Sequence, residues 1–135
     1  MKPLYSAKIL AANVGLYVNG DFAAVEDYFA TDYVAHIAGD DLSLGHAGIR
    51  KVLSVYRRAF SDFQVDVEIL VQSKDRVAWQ RTLQGTQLGA FKGFPASQKQ
   101  IVWRDMVTSR FQNDLIAEEW IVTDLAEQLL ASRKR

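Results

Sequence analysis

The sequence predicts an α+β fold: a strongly curved antiparallel sheet covered by N-terminal helices, with a short C-terminal helix. Apolar residues in the first half recur three and four positions apart, as on one face of a helix. In the second half they alternate with polar residues, as in half-buried strands. The length of 135 residues suits one domain over residues 1–135. Such a sheet under a helix layer is expected to enclose a cone-shaped cavity for a small ligand.

Three helices are expected in the first half. The first covers residues 5–16 and stops at Asn19-Gly20, because both residues tolerate positive φ. The second starts at Asp21, which can cap it, buries Phe29 and ends at residues 31–32. The third begins near residues 45–48 and has the clearest apolar face. That face consists of Ile49, Val52, Leu53, Tyr56 and Phe60.

The strands are predicted from β-branched and aromatic residues between turn signals. A short strand at residues 33–37 precedes a turn at 39–41. A four-stranded meander follows at residues 63–69, 76–86, 100–111 and 115–123, with a tight turn at 112–114. Glycines and Pro95 make residues 85–97 a loop. Asp124 can cap a last helix that ends at Leu130.

The composition narrows the class of partner. Sixteen basic residues balance sixteen acidic ones, so a nucleic-acid partner is not expected. The absence of cysteine excludes disulfides, thiolate metal sites and cysteine nucleophiles. No apolar run approaches the roughly 20 residues of a membrane span. The first residues lack the apolar region of a signal peptide, and we therefore expect a cytoplasmic protein without membrane contact. The basic end, residues 133–135, is expected to be a solvated terminus.

Four segments carry a resemblance to a known family. They are residues 32–36 (DYVAH), 45–49 (GHAGI), 89–99 (GAFKGFPASQK) and 116–120 (IAEEW), the last followed by Asp124. With these segments in this order, the chain resembles the SnoaL-like polyketide cyclases of the NTF2-like superfamily. The resemblance implies a cone fold that is often dimeric through its sheet. Members include cyclases that close polyketide rings by intramolecular aldol condensation without metal or cofactor; relatives include epoxide hydrolases and ketosteroid isomerases.

The chain departs from that pattern at positions where many relatives carry ionisable groups. Val107 and Ile121 stand where many relatives have Asp, and Glu119 stands where many have His. Gln98 replaces a loop glycine. The chain therefore has no carboxylate at two positions that are often acidic in relatives.

Aldol chemistry needs a base beside a carbonyl and a hydrogen-bond donor for the enolate. Asp105 is the predicted base, because alternation puts it on one strand face with Trp103 and Val107. His36 or Glu119 would be its catalytic partner. Glu118 and Glu119 precede Trp120 and face opposite sides, and the sequence leaves open which one points inward. The alternatives are a surface or interface Asp105 paired with arginine, and a structural histidine.

Aromatic side chains are expected to line the ligand site, which suits a small apolar or aromatic ligand. Core and interface packing is the alternative reading of these rings. The predicted substrate-binding residues are Tyr33, Tyr56, Phe60, Trp79, Phe91, Phe94, Trp103 and Trp120. The loop that carries Phe91 and Phe94 could act as a lid.

The sequence also bears on metals, cofactors and a second copy of the chain. A metal site built from His36, His46, Asp40 and Asp41 matches no ligand spacing, so no metal is expected, and the family resemblance implies that no cofactor is needed. Arg81, Arg104 and Arg110 lie on neighbouring strands and would form a convex sheet face through which a homodimer assembles.

The sequence thus predicts a cofactor-free cyclase, isomerase or hydrolase that acts on an apolar or aromatic ketone-like substrate through carboxylate acid/base chemistry. A non-catalytic binding module and a dimerisation domain with a filled cone are the alternatives. The enzyme needs a hollow cone into which a carboxylate or histidine projects. The binding module needs the hollow alone.

Overall fold

Six strands form one sheet in the computed structural model, which describes residues 5–133. They are β1 (Phe29–Ile37), β2 (Asp40–Ser43), β3 (Phe60–Ser73), β4 (Arg76–Gln87), β5 (Gln100–Gln112) and β6 (Leu115–Thr123). Their order in the sheet is β2-β1-β6-β5-β4-β3, and all neighbours are antiparallel except β1 and β6, which are parallel. The predicted α+β class and the four-stranded meander are confirmed. The residues at 134–135, part of the predicted basic terminus, lie outside the described ones.

The helices are α1 (Tyr5–Asn13), α2 (Val25–Tyr28), α3 (Gly45–Ala59) and α4 (Leu125–Ser132). A π-helical segment, Val14–Val18, continues α1, and a 3₁₀ turn, Phe22–Ala24, precedes α2. No helix in the described part of the chain is long and apolar enough to span a lipid bilayer.

The region between α2 and α3 differs from the sequence prediction. Phe29 is the first residue of β1 and not part of a helix, because it pairs with Ile116 of β6. The expected turn at 39–41 is shifted to Ala38-Gly39, where both residues have positive φ. The polar residues of β2 after this turn form a hairpin with β1, which apolar periodicity did not predict.

Two aspartates expected to cap helices have other roles. The Asp21 side chain makes no capping hydrogen bond. The Asp124 carboxylate accepts hydrogen bonds from the backbone N–H of Arg104 and from the side chain of Gln128. Asp124 therefore ties the start of α4 to β5 and does not cap the helix N–H groups with its side chain.

Alternation along the strands gives the sheet two faces. The inner face, which includes Trp79 and Trp103, meets the helices, and the outer face lies opposite. Burying each large apolar side chain contributes about 1.5–3 kcal/mol relative to exposure, so the inner face and its helical cover dominate the stability of the fold. The larger core cluster includes Ile9, Leu16, Ile49, Leu53, Trp79, Val107 and Phe111, and the smaller includes Phe60, Leu83, Ile101, Trp103, Leu125 and Leu129.

The sheet bends at irregularities in strand pairing. In β3, the pairing with β4 shifts between Ser61 and Gln64, around Asp62 with φ of 55°. Opposite this bulge, a Cβ at Gly85 would lie 2.9 Å from the carbonyl oxygen of Ser61. Bulges bend a strand and increase its twist. Gly85 therefore allows the close approach at which β3 curves over the inner face.

Candidate functional site

A cavity of about 300 Å³ lies between the inner face of the sheet and the helices. It is lined mainly by apolar side chains from α1, α3, β1, β4 and α4, and by the loop between β4 and β5. Leu42 and Lys92 both line the cavity and are exposed, so the cavity opens to solvent beside β2 and this loop. Its size lies at the lower end of small-molecule sites, roughly 300–1,000 Å³.

A buried ion pair projects into this cavity. Nε of Arg81 donates to Oδ2 of Asp105 at 2.8 Å, and Nη1 of Arg81 donates to Oδ1 of Asn13 at 2.9 Å. The guanidinium also lies over the rings of Tyr17 and Trp79, 4.9 and 5.3 Å from their centroids. Burial lowers the pKa of Arg81, but Tyr17 and Asp105 outweigh it and raise that pKa above its usual range. Arg81 therefore stays charged.

The second oxygen of the Asp105 carboxylate has no partner. Asp105 is 4% exposed, and among the side chains of residues 5–133 its Oδ1 is the one buried polar atom that lacks a hydrogen bond. An unpartnered buried acceptor costs about 1–3 kcal/mol, so it calls for a functional explanation. Asp105 lines the cavity, so a ligand bound there would lie beside this carboxylate.

A second inward carboxyl group belongs to Glu119, which is 7% exposed and also lines the cavity. Its Oε1 is hydrogen-bonded to Tyr33 Oη at 2.7 Å, and its Oε2 to Ser109 Oγ. Nε1 of Trp79 donates to Ser109 Oγ at 2.8 Å. Burial raises the pKa of Glu119, although the hydrogen bonds from Ser109 and Tyr33 oppose the shift. Burial, together with Glu119, raises the pKa of Tyr33. Glu119 is thus the inward member of the glutamate pair.

His36 does not reach the cavity, which corrects its predicted place beside the base. Alternation along β1 directs Tyr33 and Ala35 inward and His36 to the outer face. There its Nδ1 lies 2.6 Å from Asp41, its Nε2 lies 2.6 Å from Glu118, and its ring stacks on Trp120. Glu118 also accepts from Nε of Arg110 at 2.9 Å. These contacts tie the β1–β2 hairpin to β6.

Most of the predicted aromatic residues lie at the cavity, but three do not. Tyr33, Tyr56, Trp79, Phe91 and Phe94 line it. Trp103 and Phe60 pack on each other in the smaller core cluster, with ring centroids 4.9 Å apart. Trp120 lies on the outer face, with Arg76 above its ring. The structure therefore brings five of the eight predicted rings to the ligand site.

No metal ligand set forms among the described residues. His36 and Asp41 contact each other, and His46 directs Nε2 to the carbonyl oxygen of Phe29 at 2.7 Å. Within residues 5–133, no three side chains of the His, Asp and Glu type are grouped to hold a metal ion.

Arg81 corrects the predicted convex arginine face, since it lies inside while Arg104 and Arg110 lie outside. The sequence contained evidence for the inward position of Arg81. Trp79 and Leu83 lie two residues before and after Arg81, so the three side chains face the same side of β4. The burial of an isolated charge is costly, so an arginine lies on an inner face only when, like Arg81, it has a partner there. Tyr17 had no periodic signal, since it follows Leu16 in an irregular π-helical segment.

Comparison with protein-family models gives one match over most of the chain. The family model described as SnoaL-like polyketide cyclase matches residues 7–131. No protein of curated function matches the chain.

Among solved structures, a protein from Jannaschia sp. CCS1 assigned as a SnoaL-like polyketide cyclase is 20% identical, with a TM-score of 0.85 over 100% of this chain and 97% of that chain. IdmH from Streptomyces antibioticus, assigned as a polyketide cyclase, is 22% identical, with a TM-score of 0.82 over 98% and 100%. AclR from Streptomyces galilaeus, assigned as a hydroxylase, is 23% identical, with a TM-score of 0.81 over 97% and 96%. At these identities the likeness concerns the fold.

Replacing Arg81 with methionine tests the buried ion pair. Arg81→Met leaves the Asp105 carboxylate buried without its cation, and we expect the free energy of unfolding to fall by about 3–5 kcal/mol in urea denaturation. The double variant Arg81→Met/Asp105→Leu should recover much of this loss. Arg58→Met, at an exposed arginine of α3, should change stability by only about 0.5 kcal/mol. Equal losses of unfolding free energy in Arg81→Met and Arg58→Met would contradict the ion-pair account.

The outer-face histidine predicts a pH-dependent stability. Hydrogen bonds to Asp41 and Glu118 raise the pKa of His36 in the folded protein. The folded state therefore binds more protons than the unfolded state, and stability falls as pH rises from about 6.5, the unfolded value, through the higher folded value. His36→Gln should remove this fall in denaturation curves measured across that window, whereas His46→Gln should retain it. An unchanged pH profile in His36→Gln would refute the assignment.

Proposed function

The chain belongs to the SnoaL-like polyketide cyclase family, and on this premise we propose that it is a cofactor-independent enzyme that acts on an apolar, ketone-like substrate. The observation that carries the proposal is the unpartnered Oδ1 of Asp105 in an apolar cavity. The reaction type is cyclase, isomerase or hydrolase chemistry that begins with carboxylate acid/base catalysis.

Asp105 is the proposed base. Its Oδ1 removes a proton from the carbon next to the substrate carbonyl. The C–H bond breaks, an O–H bond forms on Asp105, and the electron pair moves through the new C=C bond to give an enolate oxygen. In a cyclase, the enolate carbon then attacks a second carbonyl of the same molecule: a C–C bond forms, the π bond of that carbonyl breaks, and the resulting alkoxide takes the proton from Asp105. In an isomerase, Asp105 returns the proton to another carbon.

Arg81 is the proposed positioning residue for this base. Its single bond to Oδ2 fixes the carboxylate plane and leaves Oδ1 free. The bond to Asn13 and the flanking rings of Tyr17 and Trp79 hold the guanidinium in turn. A base held in one orientation lowers the entropic cost of reaching the transition state.

The cavity wall supports an aromatic or multi-ring substrate. Trp79, Tyr56, Phe91 and Phe94 line it, and aromatic ligands gain from stacked and edge-to-face contacts with such rings. Phe91 and Phe94 exchange two backbone hydrogen bonds across a tight turn, which keeps both rings at the cavity.

A non-catalytic binding module is the second candidate. It is favoured by the fact that the polar groups of Glu119 and Arg81 are already bonded within the protein. Under this alternative the cavity binds the same ligand class without proton transfer. Hydrogen exchange on a bound ketone therefore separates the two candidates.

We also propose a homodimer formed through the outer face of the sheet. Val122 is 72% exposed and Met106, directly opposite it on β5, is 47% exposed. This apolar pair has exposed charged neighbours of both signs, namely Glu68, Asp66 and Arg104. In a two-fold arrangement the same patch meets itself, so Arg104 of each copy can approach an acidic side chain of the other.

The proposed base is tested with α-tetralone, a fused-ring aromatic ketone, in D₂O. We expect the wild-type protein to accelerate deuterium uptake at the carbon next to the carbonyl, measured by proton NMR. Asp105→Asn should lower that rate by on the order of 10²-fold or more. Asp27→Asn, at an exposed carboxylate of α2, is the matched control and should retain the wild-type rate.

Equal rates in wild type and Asp105→Asn would overturn the catalytic proposal. Binding of α-tetralone without any accelerated exchange would support the binding module instead.

The dimer is tested by light scattering at micromolar concentration. We expect twice the chain mass for the wild type and the single-chain mass for Val122→Lys/Met106→Lys, because apposed lysines repel and remove apolar contact. Leu10→Lys, at an exposed position of α1, a helix that covers the inner face, should leave the mass unchanged. A single-chain mass for the wild type would contradict the dimer.

A further inference from the structure

We infer that Tyr33 donates a hydrogen bond to the carbonyl oxygen of the bound ligand and that Glu119, holding a proton, positions it for this role. The ligand class rests on the proposed function above. The hydrogen-bond arrangement rests on Trp79, Ser109, Glu119 and Tyr33 alone.

The direction of each hydrogen bond in this chain of groups follows from what its atoms can do. The indole Nε1–H of Trp79 only donates, so Ser109 Oγ accepts it. The single hydroxyl hydrogen of Ser109 is then directed to Oε2 of Glu119. Oε2 is therefore an acceptor, and Oε1, next to Tyr33, is the oxygen that can hold a proton.

The proton on Glu119 decides what Tyr33 offers the cavity. If Glu119 is ionised, the Tyr33 hydroxyl donates to Oε1 and presents only lone pairs to a ligand. If Oε1 holds a proton, Glu119 donates to Tyr33 Oη at the same 2.7 Å separation, and the phenolic hydrogen turns towards the cavity that Tyr33 lines. Only the second arrangement supplies a donor for a carbonyl.

The surroundings of Glu119 favour the protonated form. Glu119 is buried, and its two oxygens are bonded to the neutral hydroxyl groups of Tyr33 and Ser109 and not to a cation. Burial is the largest influence and raises the pKa of Glu119; the hydrogen bonds of Ser109 and Tyr33 oppose the shift, and the charge of Asp105 on β5 adds to it. Arg81 on β4 acts in the opposite direction, but its guanidinium is bonded to Asp105 and Asn13 and not to Glu119. The two inward carboxyl groups are thereby divided, with the ion-paired Asp105 as base and Glu119 as a neutral acid.

A donor at Tyr33 completes the proposed reaction. As the α-proton leaves to Asp105, negative charge develops on the carbonyl oxygen, and a fixed O–H group in a water-poor cavity stabilises that charge more than it stabilises the ketone. Burial raises the pKa of Tyr33, so it remains a phenol and donates without losing its proton. Both oxygens of Glu119 are occupied within the protein, so Glu119 acts through Tyr33.

The binding test compares α-tetralone with tetralin, which has the same skeleton without a carbonyl. Tryptophan fluorescence titration should show that the wild type prefers the ketone by on the order of tenfold, the value of one hydrogen bond. Tyr33→Phe should abolish the preference. In the wild type this preference should decline at high pH, where Glu119 loses its proton. Glu119→Gln should keep the preference for the ketone, because the amide N–H₂ can donate to Tyr33 as the protonated acid does, and should show no such decline.

Infrared spectroscopy gives a readout that a purely structural role would not change. The C=O stretch of bound α-tetralone should shift to lower frequency in wild type and Glu119→Gln, and not in Tyr33→Phe. The wild type near neutral pH should also show a protonated carboxylic-acid band that Glu119→Gln lacks. This band needs no ligand and no Tyr33 variant, so the inference stays testable even if Tyr33→Phe fails to fold.

The outcomes separate the inference from the proposed function. Absence of the acid band, or an equal C=O shift in wild type and Tyr33→Phe, would overturn the inference whatever the result for Asp105. Unchanged deuterium uptake in Asp105→Asn alongside the expected infrared shifts would overturn only the base assignment. If neither probe binds, the proposed ligand class and the carbonyl contact of Tyr33 both fall.

Discussion

The buried Arg81–Asp105 ion pair is the interaction on which the site depends. Removing two charges from water costs several kcal/mol per ion, and the mutual attraction offsets this only when the geometry and the remaining hydrogen bonds are good. Asn13, Tyr17 and Trp79 supply those additional contacts to the guanidinium. Oδ1 of Asp105 lacks such compensation, and Asp105 lines the cavity. The free energy lost by burying this unpartnered oxygen is therefore located beside the cavity, where a hydrogen bond from a ligand could offset it.

The two faces of the sheet separate structural from chemical roles. On the outer face, His36 and Glu118 link the β1–β2 hairpin to β6 in a partly exposed network. On the inner face, Glu119, one residue along the same strand, belongs to a buried chain of hydrogen bonds. Because side chains alternate along a strand, adjacent glutamates experience opposite environments, and their pKa values move in opposite directions: that of Glu118 falls and that of Glu119 rises.

The departures from the family pattern concern the positions of carboxyl groups on the inner face of β5 and β6. Val107 and Ile121, at positions that are often acidic in relatives, are opposite each other across β5 and β6. The inward carboxyl groups of this chain, Asp105 and Glu119, each precede these residues by two positions and therefore keep the same face. Since the strands are antiparallel, the shifts run in opposite directions, and the two carboxyl groups flank the Val107–Ile121 pair. The cavity thus keeps two inward acids in altered positions.

The sequence by itself determined the α+β class and the meander, and it placed Asp105 on one strand face with Trp103 and Val107, because these follow from periodicity along single segments. It also carried the family resemblance. It did not determine which of Glu118 and Glu119 faces inward, the outward position of His36, or the burial of Arg81. Those depend on how β1 pairs in parallel with β6 and on the bulge between Arg110 and Phe111, which sets the register of β6. Pairing between distant segments fixes which of these side chains point to the inner face and which to the outer face. Only the tertiary structure therefore decided their positions.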